Sequence, residues 1–257
     1  ILSWQSAGRF AVSLTSGHLG GANDLARQVA ELVGATPVIT TASDVQGLPA
    51  LDVEAAHLGL AIENLAGVRE IQMALLEGRA VRLVDPYGYL AGVAAAHPGL
   101  FRPDHLDAAL EGEDPAVYIG FRQFSRPPGW LVLRPKNLVA GMGCHQGTPE
   151  EEILGFIRKI FHERKLSLMS LKALATIAAR SEEPGLRKAA GRLKVEFLWF
   201  TAEELRAVAV PHPSPQAARH LGVASVSEAA ALRAGGVELV VPKVKAPNAT
   251  LAVARVA

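Results

Sequence analysis

Two short stretches hold most of the residues whose types and spacing could do chemistry. "SGHLGGAN", Ser16 to Asn23, sets Gly17, Gly20 and Gly21 around His18 and just ahead of Asn23. "GMGCHQGTPEEE", Gly141 to Glu152, sets Gly143, Cys144, Gly147 and Thr148 ahead of three glutamates. Glycines at a helix start leave backbone N–H groups open toward a ligand, and the helix dipole adds positive potential there, so both loops suit an anion. Neither is a nucleotide loop: G-x-G-x-x-G is absent, and so is G-x-x-x-x-G-K-[ST] with its phosphate-binding lysine. A carboxylate-rich ligand would suit the same amides. The glycines would equally serve a tight turn and close helix–strand packing, and the residues leave both readings open. His18, beside glycines, is more exposed than a core histidine. Cys144 could be a nucleophile activated by a helix N-terminus, or a small buried hydrophobe. Glu150 to Glu152 complement the dipole of a first helical turn.

The elements that would position these loops follow from periodicity. Arg9 to Leu14 reads as a strand. From Ala22 a helix is predicted with Leu25, Val29, Leu32 and Val33 as its apolar face; Gly34 stops it, and Pro37 to Thr41 is the next strand. Strand, helix and strand in so short a span make a βαβ unit with parallel strands and a right-handed crossover. Downstream, Thr148 is the expected N-cap, Pro149 the first helical residue, and Glu151 completes a capping box ahead of a stripe of Ile153, Leu154, Ile157, Ile160 and Phe161. "KALATIA", "VEFLWF", "VELVVP" and "NATLAVARV" read as strands, with helices opening at Glu183, Thr201 and Ser225. Between the halves, "GVREIQMALLEG" is a helix and Ala80 to Val84 a strand. A turn-rich stretch follows, and "VYIGFRQF" and "GWLVLRP" are strands broken by Pro127 and Pro128. The fold class is α/β: two α/β domains, 1–58 and 136–257, with parallel or mixed sheets, joined by a smaller, less regular middle region, 59–135.

Composition narrows the function classes. The 257 residues carry a net charge of +1, so a strongly basic surface for nucleic acid or an anionic membrane is not expected. No run of about 20 apolar residues and no signal segment is seen. One cysteine, Cys144, rules out an internal disulfide framework and fits a reducing compartment, so the cytoplasm is expected. His97, His105, His212 and His220 lack metal-ligand spacing, and no protein-bound metal is predicted. No G-x-S-x-G elbow is present.

The stretch from Gly8 to Gly47, with "SGHLGGAN" at its centre, resembles the N-terminal signature of the CbiG family of anaerobic cobalamin biosynthesis. "GMGCHQGTPEEEI", "ALATI", "EEPGL" and "LVVPKVKAPNATLAVAR" resemble, in order, the C-terminal domain that CbiG shares with CobE, and "ALLEGRAVRLVDP" resembles the region between. The family extends several tens of residues upstream of the position matching Ile1, so the chain is expected to lack the start of its first domain.

The resemblance implies a cobalt-precorrin 5A hydrolase, which opens the δ-lactone of a cobalt-containing tetrapyrrole and releases acetaldehyde to give cobalt-precorrin 5B. Cobalt enters as part of the substrate, no separate cofactor is expected, and other enzymes of the pathway are candidate partners. For that chemistry His18 is the first acid/base candidate and Glu152 the second. Gly17, Gly20, Gly21, Asn23, Gly143, Cys144, Gly147, Thr148 and Lys243 are the candidate substrate-binding residues, with glycine-loop amides receiving carboxylates or the oxyanion. A non-catalytic corrinoid binder and an unrelated phosphate-binding α/β protein are the alternatives.

Overall fold

The computed structural model describes residues 2–4, 9–13, 21–39 and 46–257. The chain divides into two compact units, Ile1–Gly120 with Ser125–Pro135, and Phe121–Phe124 with Lys136–Ala257. Both are α/β.

The first unit opens with β1 (Leu2–Trp4), β2 (Phe10–Ser13) and β3 (Thr36–Ile39). β1 runs antiparallel to β2, and β3 parallel to it, as the βαβ reading requires. The helix between, Ala22–Val33, buries Ala22, Asn23, Ala26 and Ala30. This corrects the expected apolar face: Leu25, Leu32 and Val33 are exposed, Leu32 at 84%. Alanines four residues apart form a flat stripe that lets the helix lie close on the strands, and larger side chains there would hold it off.

The same unit continues through β4 (Ala61–Ile62), β5 (Val81–Val84), β6 (Phe101–Pro103), β7 (Ala116–Ile119) and β8 (Trp130–Arg134). They form one sheet in the order β4-β8-β7-β5-β6, all parallel except the edge strand β4. The middle of the chain is therefore more regular than its turn signals suggest. Its strands are two to five residues long and two of its helices, Ala91–Ala96 and Leu106–Leu110, are under two turns, too short for periodicity to register. Leu51, Ala55, Ile71, Val81, Val117, Ile119, Leu131 and Leu133 share its core. Arg134, only 2% exposed, is paired with Glu63, donates to the Gly120 carbonyl at 2.7 Å and lies over the Tyr118 ring, so its charge is matched on each side.

The second unit holds β9 (Leu138–Cys144), β10 (Leu171–Ile177), β11 (Glu196–Phe200), β12 (Gly236–Lys245) and β13 (Ala249–Val256), in the order β11-β10-β9-β13-β12. β9, β10 and β11 are parallel; β13 runs antiparallel to both β9 and β12. Alternation along the strands feeds two cores. Leu138, Ala140, Met142 and Leu174 meet Ile153, Leu154, Ile157 and Leu186 on one face, and Val139, Ala173, Ala175 and Ile177 meet Leu205, Val226, Ala229 and Ala230 on the other. Each large aliphatic buried this way contributes roughly 1.5–3 kcal/mol over its exposed state. The strand expected over 117–124 stops at Ile119, and Phe121 to Phe124 join this unit through Arg122 paired with Leu166 and the Gln123 N–H donating to Lys165. No described helix is long and apolar enough to cross a membrane.

Gly141 is the tightest point of this unit. A Cβ there would overlap the carbonyl of Ser227, which lies in the helix Val226–Arg233. Gly155, in the helix Glu150–Glu163, faces open space. Gly141→Ala should therefore destabilise the second unit by about 1–3 kcal/mol through overpacking, whereas Gly155→Ala should stabilise it by about 0.5–1 kcal/mol through helix propensity. Chemical denaturation of both variants checks the contrast; equal midpoints would contradict it.

Candidate functional site

Three segments of the second unit converge on one cleft. β9 ends at Gly143 and Cys144 beside β13, with Gly143 opposite Thr250 and Cys144 opposite Ala249. The β12–β13 turn carries Lys245 to Asn248, closed by the Ala246 N–H donating to the Ala249 carbonyl at 2.8 Å. Ser225 caps the helix Val226–Arg233, its side chain accepting from the Glu228 N–H, and delivers Val226 to the cleft. Gly143, Cys144, His145, Ser214, Ser225 and Lys243 are among its walls, and its free volume is about 180 Å³. That is below the roughly 300–1,000 Å³ of sites that engulf a drug-sized ligand. It suits a side arm or an edge of a large molecule.

The loop after β9 is held by its surroundings rather than left open. The Cys144 carbonyl accepts from Arg180 Nε at 3.1 Å, and the His145 N–H donates to the Asn248 carbonyl at 2.9 Å. Gly147 takes φ 77°, a backbone conformation that favours glycine, and its N–H donates to Glu183 Oε1 at 2.9 Å. The Thr148 N–H donates to the His145 carbonyl at 3.3 Å. The amides of Gly147 and Thr148, expected to face a ligand, are thus engaged inside the protein. The capping box is also absent: Pro149 is the N-cap of the helix Glu150–Glu163, and the Thr148 hydroxyl donates to the carbonyls of His145 and Asn248. A hydroxyl spent on two carbonyls across the loop is drawn off the helix end by tertiary partners that local spacing does not encode.

Charge in the cleft comes from Lys243 and Lys245. Burial pulls Lys243 below its ordinary value of 10.5; the nearby Glu228 carboxylate works the other way and Lys245 adds to the lowering. Cys144 is pushed up to about 11, first by burial and then by the charge of Glu183, with Arg180 opposing. At neutral pH it is a thiol, and a thiol is a poor nucleophile.

The candidates from sequence therefore separate. Gly143, Cys144 and Lys243 line the cleft. Glu152 lies next to it, with both carboxylate oxygens accepting from the Asn248 side-chain amide at 3.0 and 3.1 Å, and so braces the turn. Gly17, His18 and Gly20 lie outside the described residues. Gly21 is the N-cap of the helix Ala22–Val33, and Asn23 is buried with its carbonyl accepting from the Ser13 hydroxyl at 2.6 Å.

Sequence reasoning passed over Ser214, Gln216, Lys245 and Asn248, which complete the walls, and Arg180 and Glu183, which hold the loop. The Ser225-x-x-Glu228 spacing signals a helix cap, but nothing local shows that a cleft lies beside it. Among the described residues, no group of three or more His, Cys, Asp or Glu side chains could hold a metal ion.

Residues 1–44, 49–135 and 138–254 match, in turn, the families described as cobalamin synthesis G N-terminal, cobalamin biosynthesis central region and cobalamin synthesis G C-terminus. The chain is 32% identical over 257 residues to a cobalt-precorrin-5A hydrolase of Priestia megaterium, covering 96% of this chain and 69% of that protein. It is 33% identical over 229 residues to a cobalt-precorrin-5A hydrolase of Salmonella typhimurium, covering 87% of this chain and 65% of the relative. Among solved structures, CobE, a protein from the cobalamin (vitamin B12) biosynthetic pathway, is 32% identical with a TM-score of 0.45, covering 47% of this chain and 91% of CobE. With one hydrolase matched along nearly the whole chain and over two thirds of its own length, the chain belongs to the CbiG family of cobalamin-synthesis proteins.

Proposed function

We propose that the protein is a cobalt-precorrin-5A hydrolase, opening the δ-lactone of its substrate and releasing acetaldehyde to leave cobalt-precorrin 5B. The observation that carries the reading is the identity of 32% along 96% of the chain to a hydrolase of that name. The cleft is in keeping with it. A volume of about 180 Å³ with Lys243 and Lys245 in its walls accepts a carboxylate arm or a lactone at the rim of a macrocycle, while the ring itself stays outside.

The reaction needs one water and no redox partner. Water adds to the acyl carbon, the acyl C–O bond breaks, and its electron pair goes to the lactone oxygen, which becomes a hydroxyl on the extruded carbon. That hydroxyl then loses its proton, the C–C bond breaks, and the electron pair left on the ring carbon is protonated as acetaldehyde departs. Lys243 and Lys245 would hold the acid that forms. Cys144, a thiol, would pack against the substrate without attacking it. Cobalt stays in the substrate, and the reading needs no cofactor of the protein's own. We place the protein in the cytoplasm, next to the enzymes that make and consume these intermediates.

A corrinoid binder without turnover is the second reading. It is favoured by the position of the cleft, wholly within residues 138–254 that match the cobalamin synthesis G C-terminus, and by a 33% identity over 122 residues to Protein CobE of Sinorhizobium sp, covering 79% of that protein. An anaerobic incubation with cobalt-precorrin 5A separates the two: hydrolase activity yields one acetaldehyde per substrate, and binding with no acetaldehyde defeats the hydrolase reading. Lys243→Met should raise KM about tenfold, the size of one charge-assisted hydrogen bond of about 1.5 kcal/mol. Because the ammonium form is what binds a carboxylate, substrate affinity should weaken with rising pH, starting below the ordinary lysine value of 10.5. Cys144 should react slowly with iodoacetamide at pH 7.5 and speed up only as pH approaches about 11; rapid labelling at neutral pH would show a thiolate instead.

A further inference from the structure

One carboxylate of the second unit has no contact with solvent. Glu228, in the helix Val226–Arg233, is 0% exposed, and burying an ionised carboxylate costs several kcal/mol unless hydrogen bonds replace its water. Three N–H groups do so. Oε1 accepts from the Lys243 backbone at 2.9 Å and from His212 Nδ1 at 2.8 Å, and Oε2 accepts from the His212 backbone at 3.0 Å. The two backbone donors would suffice to pin neighbouring segments to the helix.

The third donor goes beyond such a clip. The His212 side chain is 55% exposed, so half of an imidazole faces water while its other edge meets a buried acid. A carboxylate whose oxygens both accept leaves the proton on Nδ1, and the lone pair on Nε2 is then the free one. The residue is not itself a cleft wall but is tied to two of them: its carbonyl accepts from the ammonium of Lys243, and Ser214 stands two positions on. The titratable groups around it are Glu228 and Lys243, with Lys245 and His145 further along the same cleft.

Resting on the hydrolase reading, we propose that His212, oriented by Glu228, is the proton-transfer group of this cleft. Nε2 takes a proton from the water that adds to the acyl carbon. The imidazolium, stabilised by Glu228, returns it to the lactone oxygen as the acyl C–O bond breaks. Glu228 is the positioning residue: it sets the tautomer and holds the ring edge-on.

The test uses the full chain with cobalt-precorrin 5A under anaerobic conditions. His212→Gln should lower kcat by about 10²–10⁴-fold, the usual worth of a positioned acid/base, with KM within about threefold, and should remove the acidic limb of the kcat–pH profile. Nitrogen-15 NMR of the imidazole should show Nδ1–H in the unmodified protein and a mixture of tautomers in Glu228→Gln. Should Glu228→Gln fail to fold, His212→Gln, on a half-exposed ring, still carries the kinetic test. Wild-type acetaldehyde release with an unchanged kcat in His212→Gln overturns this proposal alone, as does an Nε2–H tautomer in the unmodified protein. A wild-type chain that binds substrate and releases no acetaldehyde overturns the hydrolase reading and the proposal with it.

Discussion

The missing side chain at Gly141 decides how the second unit is built around its cleft. Without a Cβ at that point, the carbonyl of Ser227 can rest directly on β9, and the helix Val226–Arg233 settles onto the sheet at backbone distance. From that position Ser225 and Val226 reach the cleft and Glu228 is driven into the interior, where only N–H groups from other segments can satisfy it. One added methyl would lift the helix and unseat all three. The alanines of this helix serve the same end, since Ala229, Ala230 and Ala231 are wholly buried and keep the approach short.

Charged groups behind the cleft then hold the segments that form its wall. Glu183 holds the Gly147 amide, Arg180 holds the Cys144 carbonyl, Glu152 holds the Asn248 amide and Glu228 holds Lys243. Each is a charged group satisfying a loop or a strand of another element, which fixes the loops at Gly147 and Asn248 without regular structure. The consequence for chemistry is a shift of roles. The backbone amides of Gly147 and Thr148 are used internally, and the cations that line the cleft are the side chains of Lys243 and Lys245. A half-buried thiol at Cys144 with a raised pKa and a lysine with a lowered proton affinity are what such partial desolvation produces.

Much of the element order was legible. Parallel pairing of β2 with β3 and the helix starts at Glu183, Thr201 and Ser225 are local matters of spacing and turn chemistry, and the structure has them. The failures have local causes too. The face of the helix Ala22–Val33 was misread because apolar periodicity ranks leucine above alanine, whereas close packing on a strand prefers the smaller residue. The Thr148 cap was misread because its hydroxyl is drawn to two carbonyls from outside the helix. In the candidate site, Gly143, Cys144 and Lys243 were named from the sequence, whereas Ser214, Lys245 and Asn248 were not: they stand at a helix start, a strand end and a turn, and no local spacing marks that these meet.

By itself the sequence determined the α/β class, the alternation of strands and helices, and the family signature, because each rests on residues near one another in the chain. Tertiary structure alone decided which of those residues share a cleft. Cys144 and Lys243 stand 99 positions apart and meet because β13 lies between β9 and β12. His212 and Glu228 form a pair only because the segment before Ser214 folds back over a helix seated on Gly141. A buried carboxylate must recruit its donors from whatever backbone passes by, and which backbone passes is a property of the packed sheet, not of any stretch of sequence.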